Sequence, residues 1–149
     1  MKLKFSLLFS FLFLNYSSHA LSKTTCQIPF EKLGLCGELK SLGKIDRKNP
    51  ASFSLRFHAK ESPGKTVFLK SKPKAKLWMI MDGGHGHGSE ELTIEMTKDQ
   101  TYKVDNAWFL MMGEWQIKVE AEMDGKTEEQ MAKICVGRKA KDSFIGECI

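Results

Sequence analysis

The sequence predicts an all-β protein, an immunoglobulin-like antiparallel β-sandwich of about seven strands. Apolar and polar residues alternate with a period of two in several segments, as in strands buried on one face. Turn-forming residues recur between these segments, at Asn49-Pro50, Gly83-Gly84 and Asp124-Gly125 among others. Helical periodicity is weak, with one possible helical turn around residues 30–35.

The alternating segments can be taken in chain order. In residues 52–59, Phe53, Leu55 and Phe57 share one face, and residues 92–96 alternate in the same way. Residues 115–123 alternate most regularly. Asp124-Gly125 then predicts a hairpin, with residues 128–136 as the return strand.

Two further runs, residues 77–81 and 107–112, are apolar at every position. Such runs indicate strands covered on both faces, or strand ends beside a covered site.

The first twenty residues have the features of a secretory signal peptide. Lys2 and Lys4 precede an apolar stretch, and Ser18-His19-Ala20 supplies small residues at a cleavage site. The alternative is a membrane anchor, for which the apolar stretch is short, since a span needs about 20 residues. We expect residues 1–20 to be removed. Residues 21–149 would then form a single exported domain, periplasmic or extracellular, without a transmembrane anchor.

The chain has four cysteines, an even number that predicts two disulfides in an exported protein. Three pairings are possible. Cys26–Cys36 with Cys135–Cys148 is favoured because each bond closes a short local loop. The two rival pairings, which would join the N-terminal segment to the C-terminal tail, stay open.

Charge excludes some classes of function. The net charge is +5, and most lysines are scattered among glutamates, which argues against a nucleic-acid partner. The lysine cluster in residues 70–76 is expected to be a solvated loop and edge. An acidic protein or anionic membrane surface is the alternative. No serine elbow, P-loop or usable Cys–His arrangement predicts an enzyme.

The segments around residues 76–88 and 101–120 carry a family resemblance. Trp78, Met79, Met81, His85 and Gly86 match the first motif of the FixH and YtkA-like family of exported β-sandwich domains. The second motif is matched by Tyr102, Val104, Phe109, Met112, Gly113, Trp115, Ile117 and Val119. The resemblance implies the β-sandwich fold. It also implies a role such as copper delivery to, or assembly of, haem–copper oxidases, with a copper-receiving or membrane-bound partner.

Methionine and histidine in these segments predict a copper site. Thioether sulfur suits Cu(I), and imidazole suits Cu(II), zinc or nickel. The candidate ligands are Met79, Met81, His85, His87, Met111 and Met112. In the simpler alternative the methionines fill the core and the histidines lie in an exposed glycine-rich loop. The protein would then be a metal-free interaction or structural module.

Overall fold

A computed structural model describes residues 26–81, 85–137, 146 and 148. The predicted signal peptide lies outside these residues. Within them the chain forms nine strands and no helix. The strands are β1 (Ile28–Phe30), β2 (Leu35–Ser41), β3 (Ala51–Ala59), β4 (Lys74–Ile80), β5 (Gly86–Glu91), β6 (Thr93–Met96), β7 (Tyr102–Ala107), β8 (Gly113–Met123) and β9 (Lys126–Val136).

The nine strands form two antiparallel sheets, which confirms the predicted β-sandwich. One sheet has the order β1-β2-β3-β7-β6, and the other has the order β5-β4-β8-β9. The predicted number of about seven strands is too low. β1, β2 and β5 lie outside the segments that the sequence predicts as strands. The segment predicted as a possible helical turn is a hydrogen-bonded turn at residues 31–34 between β1 and β2.

The core lies between the sheets, where period-two alternation directs apolar side chains inward. Phe53, Leu55 and Phe57 of β3 are fully buried, and so are Ile117 and Val119 of β8. Burying large side chains of this kind contributes about 1.5–3 kcal/mol each. The predicted hairpin is confirmed as well, since β8 and β9 pair on either side of Asp124-Gly125.

The hairpin turn requires an unusual backbone conformation. Asp124 and Gly125 have φ of 51° and 75°. Two consecutive positive φ angles characterise a type I′ turn, and Asp-Gly is among its preferred sequences.

The two apolar runs that the sequence predicts as strands adopt different structures. Residues 77–80 belong to β4, as predicted for a strand, but only one face of β4 is covered, since Leu77 and Met79 are buried and Trp78 is half-buried. In the second run only Ala107 belongs to a strand, because β7 ends there and residues 108–112 cross to the other sheet. Phe109 fills the gap between the sheets and is only 1% exposed. Its ring makes edge contacts with Phe53 and Trp115 at centroid distances of 6.3 and 5.4 Å.

The lysine cluster in residues 70–76 lies partly on β4, which is not an edge strand. Lys74 pairs with Glu120 at 3.0 Å, and Lys76 pairs with Glu129 at 3.2 Å. Both pairs are solvent-exposed and contribute at most about 1 kcal/mol each. The cluster is therefore a solvated sheet face with neutralising partners, and the predicted edge position is wrong.

The favoured disulfide pairing is confirmed. Cys26 bonds to Cys36, and Cys135 bonds to Cys148, with Cα–Cα distances of 5.6 and 5.1 Å. Two disulfides indicate an oxidising environment. Among the described residues there is no helix that is long and apolar enough to cross a membrane.

A buried carboxylate ties the β1–β2 turn to β9. Glu128 is 6% exposed and accepts backbone N–H hydrogen bonds from Glu31, Lys32 and Leu33 at 3.1, 2.9 and 3.3 Å. The Gln130 amide donates a further hydrogen bond at 2.8 Å. Burial raises the pKa of Glu128, but these hydrogen bonds outweigh it, and the pKa lies below its usual 4.5.

Replacing Glu128 by glutamine removes the charge that these donors stabilise. Hydrogen bonds to charged groups contribute about 1.5–3 kcal/mol, so E128Q should lower the free energy of unfolding at neutral pH by about 2 kcal/mol. Folding lowers the pKa of Glu128, so its ionised carboxylate stabilises the folded protein fully above pH 4.5. This contribution to the free energy of unfolding is lost as the pH falls through the lower pKa of the folded state. Urea unfolding of both proteins across this range should show their stabilities converging in acid.

The control is Glu122→Gln, an exposed position on β8 where the change should stay within about 0.5 kcal/mol. Equal effects of E122Q and E128Q would show that the Glu128 contacts do not stabilise the fold.

Candidate metal site

The candidate ligands in residues 79–87 lie on a two-stranded ribbon formed by β4 and β5. Met79 pairs directly with His87, and Ile80 pairs with Gly86. The Met81 backbone N–H donates a hydrogen bond to the His85 carbonyl at 2.8 Å, which continues the same register beyond the strands. His87 therefore lies on a strand, where the sequence pattern predicted a loop, and His85 immediately precedes that strand.

One face of this ribbon is covered by the Trp78 indole. A Cβ added to Gly86 or Gly88 would lie 2.4 or 2.8 Å from atoms of the Trp78 ring. Only glycine at both positions allows the ring to rest on the β5 backbone. The Lys118 Nζ atom lies 4.6 Å from the ring centroid, within cation–π range.

The opposite face of the ribbon carries the candidate ligands. Side chains alternate along a strand, and directly opposed residues of antiparallel strands share a face. The register therefore places Met79, Met81, His85 and His87 on one side of the ribbon. Opposed residues in such a pair have Cβ atoms about 4.5–5.5 Å apart, close enough for their side chains to reach one ion.

The four side chains differ in their accessibility. Met79 is 9% exposed and belongs to the core, where its Cε lies 3.4 Å from the position of a Cβ on Gly113. Met81 is 37% exposed, and both histidines are exposed. The group therefore extends from the core edge of β4 to the solvent.

The two other predicted ligands lie elsewhere. Met112 packs on Gly137, since a Cβ there would lie 2.9 Å from the Met112 sulfur. Gly137 follows β9, three strands from β5 in the sheet order, or about 14 Å at 4.8 Å per strand. Met111 is half-buried against the core, and its carbonyl accepts a hydrogen bond from the Trp115 indole at 3.0 Å. The structure thus places four of the six predicted ligands on one face of the ribbon, whereas the Met112 side chain packs on Gly137 at the end of β9.

The other side chains that could bind metal do not extend this group. His58 lies on β3 in the other sheet, where its Nδ1 is 3.1 Å from the Ala59 carbonyl. Within the described ranges, no cluster of three or more His, Cys, Asp or Glu side chains is placed to hold a metal ion. Any site on the ribbon therefore depends on thioether sulfur together with imidazole.

Sequence reasoning missed the strand that carries His87. The signal was present as a period-two pattern in which Gly84, Gly86 and Gly88 alternate with His85 and His87. Glycine is depleted in strands, so the pattern was interpreted as a turn. The structure explains the glycines at positions 86 and 88, because the Trp78 ring occupies the space that side chains there would take.

Comparisons with family models, with curated proteins and with solved structures find no match to this chain. The resemblance to FixH and YtkA-like domains stays a prediction.

Gly88→Ala tests whether this segment is a strand packed beneath Trp78. The new methyl group would overlap the ring, and overpacking of this kind costs about 1–3 kcal/mol. The same substitution in a Trp78→Ala background should cost at least about 1 kcal/mol less, since the overlapping partner is gone. Chemical unfolding of the four proteins provides the double-mutant cycle.

Gly43→Ala is a matched control, because a Cβ at Gly43 would meet nothing within 4 Å. It should change stability by no more than about 0.5 kcal/mol. If G88A is as mild as G43A, residues 86–88 do not pack under the indole.

Proposed function

We propose that this protein is a non-catalytic copper-binding domain of the exported space. The proposed site is the ribbon face formed by Met79, Met81, His85 and His87. The observation that supports it is the pairing of β4 with β5, which aligns two methionines opposite two histidines.

The donor set favours copper over other common metals. Hard cations such as Mg²⁺ and Ca²⁺ take oxygen ligands, whereas thioether sulfur selects Cu(I). Imidazole binds both copper oxidation states, so the histidines would hold Cu(II) and the methionines would complete the site for Cu(I). A face with two nitrogens and two sulfurs can therefore retain copper when its oxidation state changes.

The exposure gradient supports transfer of the ion in preference to permanent storage. His85 and His87 are exposed on an edge strand, so they can meet an incoming ion. Met81 is partly exposed beside them, and Met79 lies at the buried end. A partner protein could approach the same open edge and remove the ion by ligand exchange.

The Cu(II) prediction uses the double substitution His85→Ala and His87→Ala. It should weaken Cu(II) binding by at least about tenfold in calorimetry, because loss of even an outer-shell partner of a metal site costs 10–100-fold. Binding should also weaken as pH falls, since imidazole must be deprotonated to bind. The unfolding midpoint should be nearly unchanged because the side chains are exposed.

His58→Ala is the matched control, since His58 lies on β3 in the other sheet. The proposal fails if the unmodified protein binds Cu(II) no tighter than about millimolar. It also fails if the double variant binds as well as the unmodified protein.

The Cu(I) prediction separates the methionines on the ribbon face from Met112, whose side chain packs on Gly137. Met81→Leu conserves volume but removes the sulfur, so it should weaken Cu(I) binding in an anaerobic competition titration. Met112→Leu should leave the affinity unchanged, because Met112 packs on Gly137 beyond β9. Equal losses in the two variants would contradict the assignment of the site to the ribbon.

A further inference from the structure

Exposed apolar side chains are concentrated at one end of the sandwich. Eight large apolar side chains are exposed among the described residues. Five of them lie at the end of the sandwich where β2, β4 and β7 end and β8 begins. These are Leu42, Met81, Trp108, Leu110 and Met112. We name Leu42, Trp108, Leu110 and Met112 the apolar tip. Apolar patches of this kind on a small domain mark interaction sites.

The β7–β8 loop holds its part of the apolar tip in a fixed orientation. Phe109 is buried between the sheets, and the carbonyl of Met111 accepts a hydrogen bond from Trp115. The residues between these anchors project outward, with Trp108, Leu110 and Met112 exposed by 47, 73 and 51%. Their exposure therefore follows from how the loop is anchored to the core.

Cations lie beside the apolar tip. Lys44, Arg47 and Lys48 of the β2–β3 loop line an open groove of about 540 Å³ together with Leu110 and Met112. Asp46 also lines the groove, but its carboxylate accepts backbone N–H hydrogen bonds from Lys48 and Asn49 within its own turn. The groove therefore combines apolar side chains with a net positive charge.

We propose that the apolar tip docks on an anionic lipid surface. Tryptophan prefers the interface of a bilayer, and aliphatic side chains can enter the boundary between headgroups and acyl chains. Each nearby lysine or arginine adds about 1 kcal/mol of attraction to anionic headgroups. Side chains that project from a loop at the end of a sandwich can enter a bilayer without rearrangement of the fold. The proposal does not depend on copper binding.

Sedimentation with lipid vesicles tests the proposal directly. The purified protein should bind vesicles that contain phosphatidylglycerol and should bind pure phosphatidylcholine vesicles at least about tenfold more weakly. Raising the salt concentration should release it, since screening weakens the electrostatic part. Trp108→Ala with Leu110→Ser should lower the partition coefficient at least about fivefold. Substituting Lys44, Arg47 and Lys48 by glutamine should lower it at least about tenfold.

Matched controls remove the same kinds of side chain at positions outside the apolar tip and its groove. Met96→Ser removes an exposed apolar side chain at the opposite end of the sandwich. Substituting Lys65, Lys72 and Lys98 by glutamine removes the same charge from other exposed positions. Both controls should retain vesicle binding to within about twofold, apart from the long-range effect of net charge.

Two outcomes would overturn the proposal. In the first, the protein does not prefer phosphatidylglycerol vesicles, and the apolar tip is then assigned to a protein partner. In the second, the control variants lose as much binding as the apolar-tip variants. Copper titration of the same variants should match the unmodified protein, because none of the substituted residues belongs to the ribbon site. A failure of lipid binding is thereby distinguished from a failure of the copper proposal.

Discussion

The contact of Phe109 with Phe53 and Trp115 determines how one end of the sandwich, which carries both candidate surfaces, is arranged. The chain crosses from one sheet to the other at residues 108–112, and Phe109 is the side chain that fills the space between them. With Phe109 inside, the neighbouring Trp108 and Leu110 must face outward. The same crossing sets the start of β8, where Gly113 lies beside the methyl group of Met79. The outward orientation of Trp108 and Leu110 therefore depends on one buried aromatic ring.

The opposite end of the sandwich is closed by a different kind of interaction. There the Glu128 carboxylate accepts hydrogen bonds from backbone N–H groups of the β1–β2 turn, which lies nearly a hundred residues earlier in the chain. These donors would otherwise lie in a turn without strand partners, and leaving the buried Leu33 N–H unsatisfied would cost about 1–3 kcal/mol. The charged contact fixes β1 against β9, while the aromatic contact fixes the other end. The two sheets are thus held at both ends by contacts that differ in their response to pH.

The sequence predicted those features that depend on local period and on cysteine spacing. Alternation in β3 and β8, the Asp124-Gly125 turn and both disulfides follow from residues close together in the chain. The missed features depend on pairing between distant segments. Glycine on β5 is favourable only because Trp78 covers it, and no local pattern reveals that contact. For the same reason the sequence could not separate Met112 from Met79 and Met81, since all three follow or belong to similar apolar runs.

The positions of the two candidate surfaces also resolve an electrostatic conflict. A copper ion would be repelled by Lys44, Arg47 and Lys48 if these cations lay beside its ligands. They line a groove with Val136 and Gly137, at the end of β9, whereas the histidines lie on and beside β5. Two strands separate β5 from β9, which places these strands about 14 Å apart in the sheet. The sheet order therefore allows one end of the sandwich to carry a candidate cation-binding face and a basic groove on different strands.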